Sequence, residues 1–172
     1  CECLSGERER LRDIDAVQLH NGALLHDLGK IRTPLELLWK PGAYTDDERS
    51  LVGHHPLDGY SIVCALDLPE RDVLGRLALL HHTARPESVH IALLKFTDVF
   101  DALRTDRPYR RALSTSAVRR ELVGKAGRKE EAALREKWGL CRQCRLKFFA
   151  TLLRLSEERF GLRERRLEDV DG

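Results

Sequence analysis

Five of the seven histidines lie in three short segments, and aspartates accompany them. These residues are His26-Asp27, His54-His55, His81-His82 and, further along the chain, Asp98. Imidazole nitrogens and carboxylate oxygens are the ligands that iron, manganese and zinc accept, and one carboxylate can bridge two cations. Each pair alone is a short motif of low specificity. Their clustering predicts a metal centre in which Asp27 is the natural bridging ligand.

The segments around these residues have helical periodicity, and no run alternates apolar and polar residues as a half-buried strand does. The sequence therefore predicts an all-α fold. A first helix over 11–28, closed by Gly29 as a left-handed C-cap, would place His26 and Asp27 in its last turn. Thr45 and Glu48 form the capping box of a second helix that ends near His54.

Further helices are predicted on both sides of the remaining candidate ligands. Pro56 fits the first turn of a third helix, a fourth runs from after Pro69 to His81-His82, and a fifth over 91–103 carries Asp98. Three more helices follow: one from Ser114 to Gly124, one over 129–138 and one over 141–160. We expect residues 1–113 to form the metal-binding core and 114–172 a helical extension packed on it, within a single structural domain.

Composition limits the classes of partner. The 172 residues include 42% hydrophobic ones, enough for one domain with its own core. Thirty basic and 28 acidic residues leave a net charge of +2, which argues against a DNA or membrane partner recognised by charge. No apolar run approaches the roughly 20 residues that a bilayer crossing requires. The odd number of cysteines favours a reducing compartment, so we expect a cytoplasmic protein.

Cys141 and Cys144 have the spacing of a zinc-binding pair, and Cys1 and Cys3 offer a second pair for a four-thiolate site. The alternative is that Cys141 and Cys144 lie at the start of an amphipathic helix and serve there as small apolar side chains. This is the commoner use of cysteine in such a position.

Several motifs follow one another in a fixed order between Leu19 and Ser114. They are HDLGKI at 26–31, LWKPG at 38–42, HPLDG at 55–59, HH at 81–82, DVFDAL at 98–103 and RPYR at 107–110. This series resembles the HD-GYP family, a branch of the HD superfamily of metal-dependent phosphohydrolases. The resemblance implies a helical HD-domain bundle and a phosphodiesterase of a cyclic dinucleotide such as cyclic di-GMP. It also implies a protein partner, or an attached receiver or sensor domain.

The resemblance also assigns roles to individual residues. It implies that two divalent transition metals, iron or manganese first and zinc or nickel as alternatives, are held by His26, Asp27, His55, His81, His82 and Asp98. Lys30 resembles the phosphate-contacting lysine and would act with Asp27 in catalysis. Arg107 and Arg110 match the segment whose guanidinium groups face substrate phosphates, which suits the planar, bidentate hold of arginine on phosphate.

Two features depart from the family pattern. After the His81-His82 pair the chain continues as Thr83 to Ser88 without the GYP motif, which predicts a more open site. The additional upstream histidine of the family, and the glutamate that some members add, are not matched by His20, which is out of phase. Either the helices that carry those ligands are lost from this chain, or one metal position is incomplete. These departures leave two alternatives to a phosphodiesterase: a catalytically degenerate module that regulates or binds a partner, and a nucleotide phosphomonoesterase acting on another phosphate ester.

Overall fold

The computed structural model describes residues 15–107, 110–124 and 128–160, which form a bundle of helices. The helices are α1 (Ala16–Leu25), α2 (Leu35–Leu38), α3 (Asp46–Val52), α4 (His55–Ala65), α5 (Arg71–Leu80), α6 (Val89–Arg104), α7 (Thr115–Val123), α8 (Arg128–Trp138) and α9 (Arg142–Phe160). A 3₁₀ helix spans Leu28–Arg32 between α1 and α2. Within these ranges extended pairing is limited to one bridge between Arg107 and Arg110. The predicted all-α fold is confirmed.

Capping side chains explain where most helices begin. Asp15 accepts hydrogen bonds from the first backbone N–H groups of α1, and Ser88 and Ser114 do the same for α6 and α7. Thr45 and Glu48 form the predicted capping box of α3. Each of these bonds satisfies a backbone donor that has no partner inside its helix. The starts of α3 and α7 agree with the caps predicted at Thr45 and Ser114, whereas α6 begins at Val89, two residues before the predicted start at residue 91.

The region after α1 differs from the prediction. α1 ends at Leu25 rather than at residue 28, and its predicted start at residue 11 lies outside the described residues. Gly29 lies within the 3₁₀ helix and has no positive φ, so its prediction as a left-handed cap is wrong. The glycine is required for another reason. A Cβ there would lie 1.9 Å from the carbonyl oxygen of His55 and 2.5 Å from the nitrogen of Gly59, so only glycine lets this backbone contact α4.

Two groups of apolar side chains hold the bundle together. The larger joins α6, α7, α8 and α9, with Phe96 packed edge to face on Trp138 at 5.5 Å between ring centres. The smaller joins α5 and α6 through Leu77, Ile91 and Leu94. α4 packs along α5 and against the 3₁₀ helix. The elements that carry the histidines therefore lie on one side of α6, and the C-terminal helices pack on the rest of it.

The C-terminal helices share the larger core with α6, but the division at residue 113 stays a prediction. Cys141 and Cys144 are buried members of that core, in keeping with the apolar alternative. Cys1 and Cys3, the other half of the zinc alternative, lie outside the described residues. Among the helices that the structure describes, none combines the length and apolar character needed to cross a bilayer.

Candidate metal centre

Imidazoles and carboxylates from four parts of the chain meet where α1 and α5 end and α4 begins, next to the interior of α6. Nε2 of His55 lies 3.3 Å from Nε2 of His81 and 3.4 Å from Oδ1 of Asp27. Nε2 of His26 lies 3.4 Å from Oδ2 of Asp27 and 3.8 Å from Oδ1 of Asp98. The two oxygens of Asp27 thus face different histidines, the arrangement that a bridging carboxylate needs.

Helix ends position most of these side chains. His26 and Asp27 occupy the turn between α1 and the 3₁₀ helix, His55 is the first residue of α4, and His81 follows the last residue of α5. Asp98 lies inside α6. The close backbone contact at Gly29 brings the first two of these ends together.

Three imidazoles are oriented in the same way. In His26, His55 and His81, the Nδ1–H group donates a hydrogen bond to the carbonyl oxygen of the residue three positions earlier. The distances from Nδ1 to oxygen are 2.8, 2.7 and 2.7 Å. Those carbonyls belong to Ala23, Val52 and Ala78, in the last turns of α1, α3 and α5. Carbonyls there have no partner within the helix. The bonds keep a proton on Nδ1 and turn each Nε2 atom toward the cluster.

The fourth imidazole, His82, is held differently. Its ring centre lies 3.9 Å from that of His81 and 5.1 Å from that of His55. The residue is exposed, and within the described part of the chain its ring makes no hydrogen bond to a backbone carbonyl. His82 is therefore near the other imidazoles without an orienting bond of its own.

The pKa values of the residues in the cluster depend strongly on one another. Asp27 and then Asp98 raise the pKa of His26 to about 10. Burial acts to raise the pKa of Asp27, but the neighbouring His26 imidazole and the ammonium group of Lys30 outweigh it and hold that pKa well below its usual value. Burial, with repulsion from His82, lowers the pKa of His81 to about 4. Without a metal, the cluster is held together by a proton on His26, while His81 is neutral near pH 7.

The donor set fits a divalent metal ion. Nε2 of His26 is buried and faces the carboxylates of Asp27 and Asp98 at 3.4 and 3.8 Å without a well-formed hydrogen bond to either, which is costly unless a cation satisfies it. Two groups, His55-His81-His82 and His26-Asp27-His81, each bring their ligand atoms within 4.8 Å of one another. Mixed imidazole and carboxylate donors suit iron, manganese and zinc. The cluster can therefore hold a metal ion, whose identity and number stay predictions.

The predicted phosphate-binding residues have separate environments. Nζ of Lys30 donates to Oδ2 of Asp27 at 2.5 Å, so the lysine lies at the edge of the cluster. The guanidinium of Arg110 donates to the carbonyls of Ala102, Leu103 and Arg111, at and just beyond the end of α6. The backbones of Arg107 and Arg110 pair with each other. Lys30 is thus placed beside the candidate metal site, whereas Arg110 stabilises the end of a helix here.

Two histidines outside the cluster have other surroundings. His90 accepts a hydrogen bond at 3.1 Å from the backbone nitrogen of Asp15, and His54 is an exposed residue next to α4.

Sequence reasoning missed the carbonyls of Ala23, Val52 and Ala78 as parts of the site. Backbone groups carry no signal in residue type, and the three-residue offset from each histidine becomes informative only once the helix ends are known.

Comparison with known proteins places the chain in a family. The sequence profile of the HD domain matches residues 3–118, so the chain belongs to the HD domain family, as the motif series predicted. A cyclic di-GMP phosphodiesterase response regulator of Xanthomonas campestris is 31% identical over 137 residues, which cover 73% of this chain and 36% of that protein. A cyclic di-GMP phosphodiesterase of Pseudomonas aeruginosa is 36% identical over 111 residues, covering 56% of this chain and 26% of that protein.

A third relative differs in the substrate that its name records. The 3′3′-cGAMP-specific phosphodiesterase 3 of Vibrio cholerae is 32% identical over 115 residues, covering 60% of this chain and 25% of that protein. The aligned part of the chain thus spans about a quarter to a third of the length of these curated relatives.

Proposed function

We propose that this chain is a metal-dependent phosphodiesterase that opens a cyclic dinucleotide, cyclic di-GMP being the first candidate substrate. The convergence of three oriented Nε2 atoms on the Asp27 carboxylate carries the proposal. The relatives named as phosphodiesterases of cyclic di-GMP or cGAMP support the substrate class. Because they are much longer than the matched region, an attached receiver or sensor domain, or a protein partner, is part of the same proposal.

The metal ligands in this proposal are His26, Asp27, His55, His81, His82 and Asp98. Two divalent ions, iron or manganese first, would supply Lewis acidity and water of lowered pKa. The chain itself supplies orientation and charge. The carbonyl-bound imidazoles keep their Nε2 atoms directed at the cluster. Asp27 presents Oδ2 to His26 and Oδ1 to His55. Preformed ligand geometry of this kind avoids reorganisation during the reaction.

Lys30 supplies the positive charge that faces the substrate in this proposal. Its ammonium group, held at Asp27, would lie beside a phosphate bound at the centre and stabilise the negative charge that develops on its oxygens. Arg107 and Arg110 stay candidates for a second phosphate. For Arg110 that role requires its guanidinium to leave the carbonyls at the end of α6.

The main alternative is a degenerate domain that binds metal and nucleotide without turnover, and the missing GYP motif favours it. A nucleotide phosphomonoesterase is a third candidate. Retention of Lys30 beside Asp27 favours catalysis, because a binding module has no need of a charge that acts on the transition state.

Turnover and metal content decide between these functions. Purified protein loaded with Mn²⁺ or Fe²⁺ is incubated with cyclic di-GMP, 3′3′-cGAMP and a nucleoside monophosphate, and products are separated by chromatography. We expect linear dinucleotide to form, and the double variant His81→Ala/His82→Ala to lose both metal and turnover. His54→Ala, which removes an exposed imidazole next to His55, is the matched control and should retain both metal and turnover.

Tight nucleotide binding without product would support the regulatory alternative. Unchanged metal content in the double variant would refute the site.

A further inference from the structure

Lys95 is a charged residue in the middle of the apolar face of α6. It interrupts the run Ile91 to Phe96, and it is only 8% exposed. A buried ammonium group requires hydrogen-bond acceptors, because leaving it unpaired away from water is costly. Its partners therefore indicate what the lysine is for.

Both acceptors of Lys95 are backbone carbonyls from distant parts of the chain. Nζ donates to the carbonyl oxygen of Thr83 at 2.7 Å and to that of Lys137 at 2.7 Å. Thr83 directly follows His82, and Lys137 lies in the last turn of α8. One ammonium group thus joins the connection after the histidine pair to a C-terminal helix.

Two further contacts hold the same connection, residues 83–88, against the end of α8. Arg85 forms an ion pair with Glu136. The backbone of Gly139 packs on Pro86 so closely that a Cβ on the glycine would lie 3.3 Å from the Cβ of Pro86. Lys95 is the buried member of this set, so it is the contact that solvent competes with least.

His82 is the imidazole that needs such support. The other three are oriented by their own Nδ1–H bonds to carbonyls, whereas His82 has none within the described structure. Its direction then depends on the backbone that carries it. The carbonyl that Lys95 holds belongs to Thr83, the residue that directly follows His82, so it lies in the second peptide group after His82.

We propose that Lys95 is a positioning residue that fixes His82 in the metal centre by holding the Thr83 carbonyl against the end of α8. The inference rests on the proposed function in that it needs a metal at the centre, and it extends that function to the C-terminal helices. Those helices, by this account, support the metal site as well as the apolar core.

Cobalt(II) titration tests the inference without using activity. Absorption of bound Co²⁺ in the visible range depends on the number and geometry of its ligands. Purified wild type, Lys95→Met, His82→Ala and Lys137→Met are titrated with Co²⁺ alone. We expect Lys95→Met to change the spectrum as His82→Ala does and to weaken cobalt binding by about 10- to 100-fold, the usual effect of losing a group that orients a ligand. Lys95→Arg, which keeps buried donors and charge, should restore the wild-type spectrum.

Lys137→Met is the matched control. Its ammonium lies 4.8 Å from the ring centre of Trp138, as that of Lys95 does at 5.3 Å, but it pairs with Glu121 and not with the connection. The control should leave spectrum and affinity unchanged. If Lys95→Met does not fold by circular dichroism, Gly139→Ala takes its place. Gly139 has φ +63°, where a Cβ is strained, and that Cβ would press on Pro86, so the variant disturbs the contact between the end of α8 and the connection without removing charge. It should shift the spectrum in the same direction.

The outcomes separate the two proposals. A wild type that takes up no cobalt overturns the metal centre, and the role of Lys95 with it. A wild type that binds cobalt, together with a folded Lys95→Met variant of unchanged spectrum and affinity, overturns only the role of Lys95. For Gly139→Ala, an unchanged spectrum and affinity would overturn the premise that the end of α8 supports His82 through residues 83–88, and the role of Lys95 with it.

Discussion

His26 differs from the other imidazoles of the cluster because carboxylates of Asp27 and Asp98 face its Nε2 atom. These two groups raise its pKa from 6.5 to about 10, so near pH 7.5 the metal-free protein holds a proton there. A metal that takes this nitrogen must displace the proton. His81, with its pKa lowered to about 4, has none to release.

We therefore expect metal binding to release close to one proton from His26 at pH 7.5, and fewer as the pH approaches 10. Calorimetric titration with Mn²⁺ in buffers of different ionisation enthalpy measures this number. In His26→Gln, which keeps a polar side chain but cannot hold the proton, the release should disappear. Binding by the wild type with no net proton release at pH 7.5 would contradict the assignment of His26 as a ligand.

Lys30 is the residue whose loss should affect rate more than metal content. Its ammonium cannot ligate a cation while protonated, and it is held on Asp27 at 2.5 Å. We expect Lys30→Ala to lower kcat by about 10²- to 10³-fold, the scale of removing one preorganised charge-stabilising group. Steady-state kinetics with parallel elemental analysis provide the measurement.

Lys40→Ala is a matched control for Lys30→Ala, since Lys40 also donates to a carboxylate, that of Glu48, at 2.5 Å but away from the cluster. It should leave kcat unchanged. An active Lys30→Ala variant with wild-type kcat would remove the lysine from the mechanism.

The residue types of the candidate site could be read from the sequence, and their contacts could not. His26, Asp27, His55, His81, His82 and Asp98 were predicted as ligands and do come together, although their binding of metal stays a prediction. Arg110 shows the limit of such reasoning. Its motif predicts contact with phosphate, while in the structure its guanidinium donates to carbonyls near the end of α6. The direction of a long side chain depends on tertiary neighbours that spacing does not encode.

At the scale of elements, the contact between the 3₁₀ helix and α4 determines where His26 and His55 meet. We expect Gly29→Ala to lower the free energy of unfolding by about 3 kcal/mol, the upper part of the usual range for overpacking, because the new methyl group would meet rigid backbone at His55. The affinity of this variant for metal should fall together with its free energy of unfolding. Chemical denaturation and Mn²⁺ titration measure the two effects.

Gly53→Ala serves as the control for this prediction. Gly53 has right-handed helical φ and ψ, and a Cβ there would lie 3.0 Å from the carbonyl oxygen of Arg49, against 1.9 Å from that of His55 for Gly29. Alanine at Gly53 should therefore change stability by less than about 1 kcal/mol. Equal effects of both substitutions would show that the backbone contact at Gly29 is unimportant.

Helix boundaries marked by capping residues were predictable, and those set by tertiary contact were not. Thr45 and Ser114 mark the starts of α3 and α7 through side chains that accept hydrogen bonds from local backbone donors, and Ser88, which was not predicted as a cap, does the same for α6. The early end of α1 and the following 3₁₀ helix have no such marker. They follow from the fit of Gly29 against α4, a partner nearly thirty residues away.

At the scale of the whole molecule, the connection after the histidine pair, residues 83–88, is short. Lys95 holds it at the end of α8 by donating to the carbonyls of Thr83 and Lys137. His82 is exposed, and the side chain of Asp27 is 35% exposed. We expect such an accessible centre to accept a small diester, so kcat/KM for bis(p-nitrophenyl) phosphate should at least equal that for cyclic di-GMP. Parallel kinetics on the metal-loaded protein give this ratio. Strong and selective turnover of cyclic di-GMP would mean that specificity does not need the missing motif.

The bonds from three histidines to the last turns of α1, α3 and α5 have a consequence for the thermodynamics of the protein. Each imidazole closes a helix end that would otherwise fray, and each can do so only while its ring is fixed. A cation that immobilises the rings therefore also opposes fraying at three places at once. By linkage, loss of a bound cation and local unfolding of these turns would be one equilibrium, so that occupancy of the proposed centre would change the cooperativity of this half of the bundle.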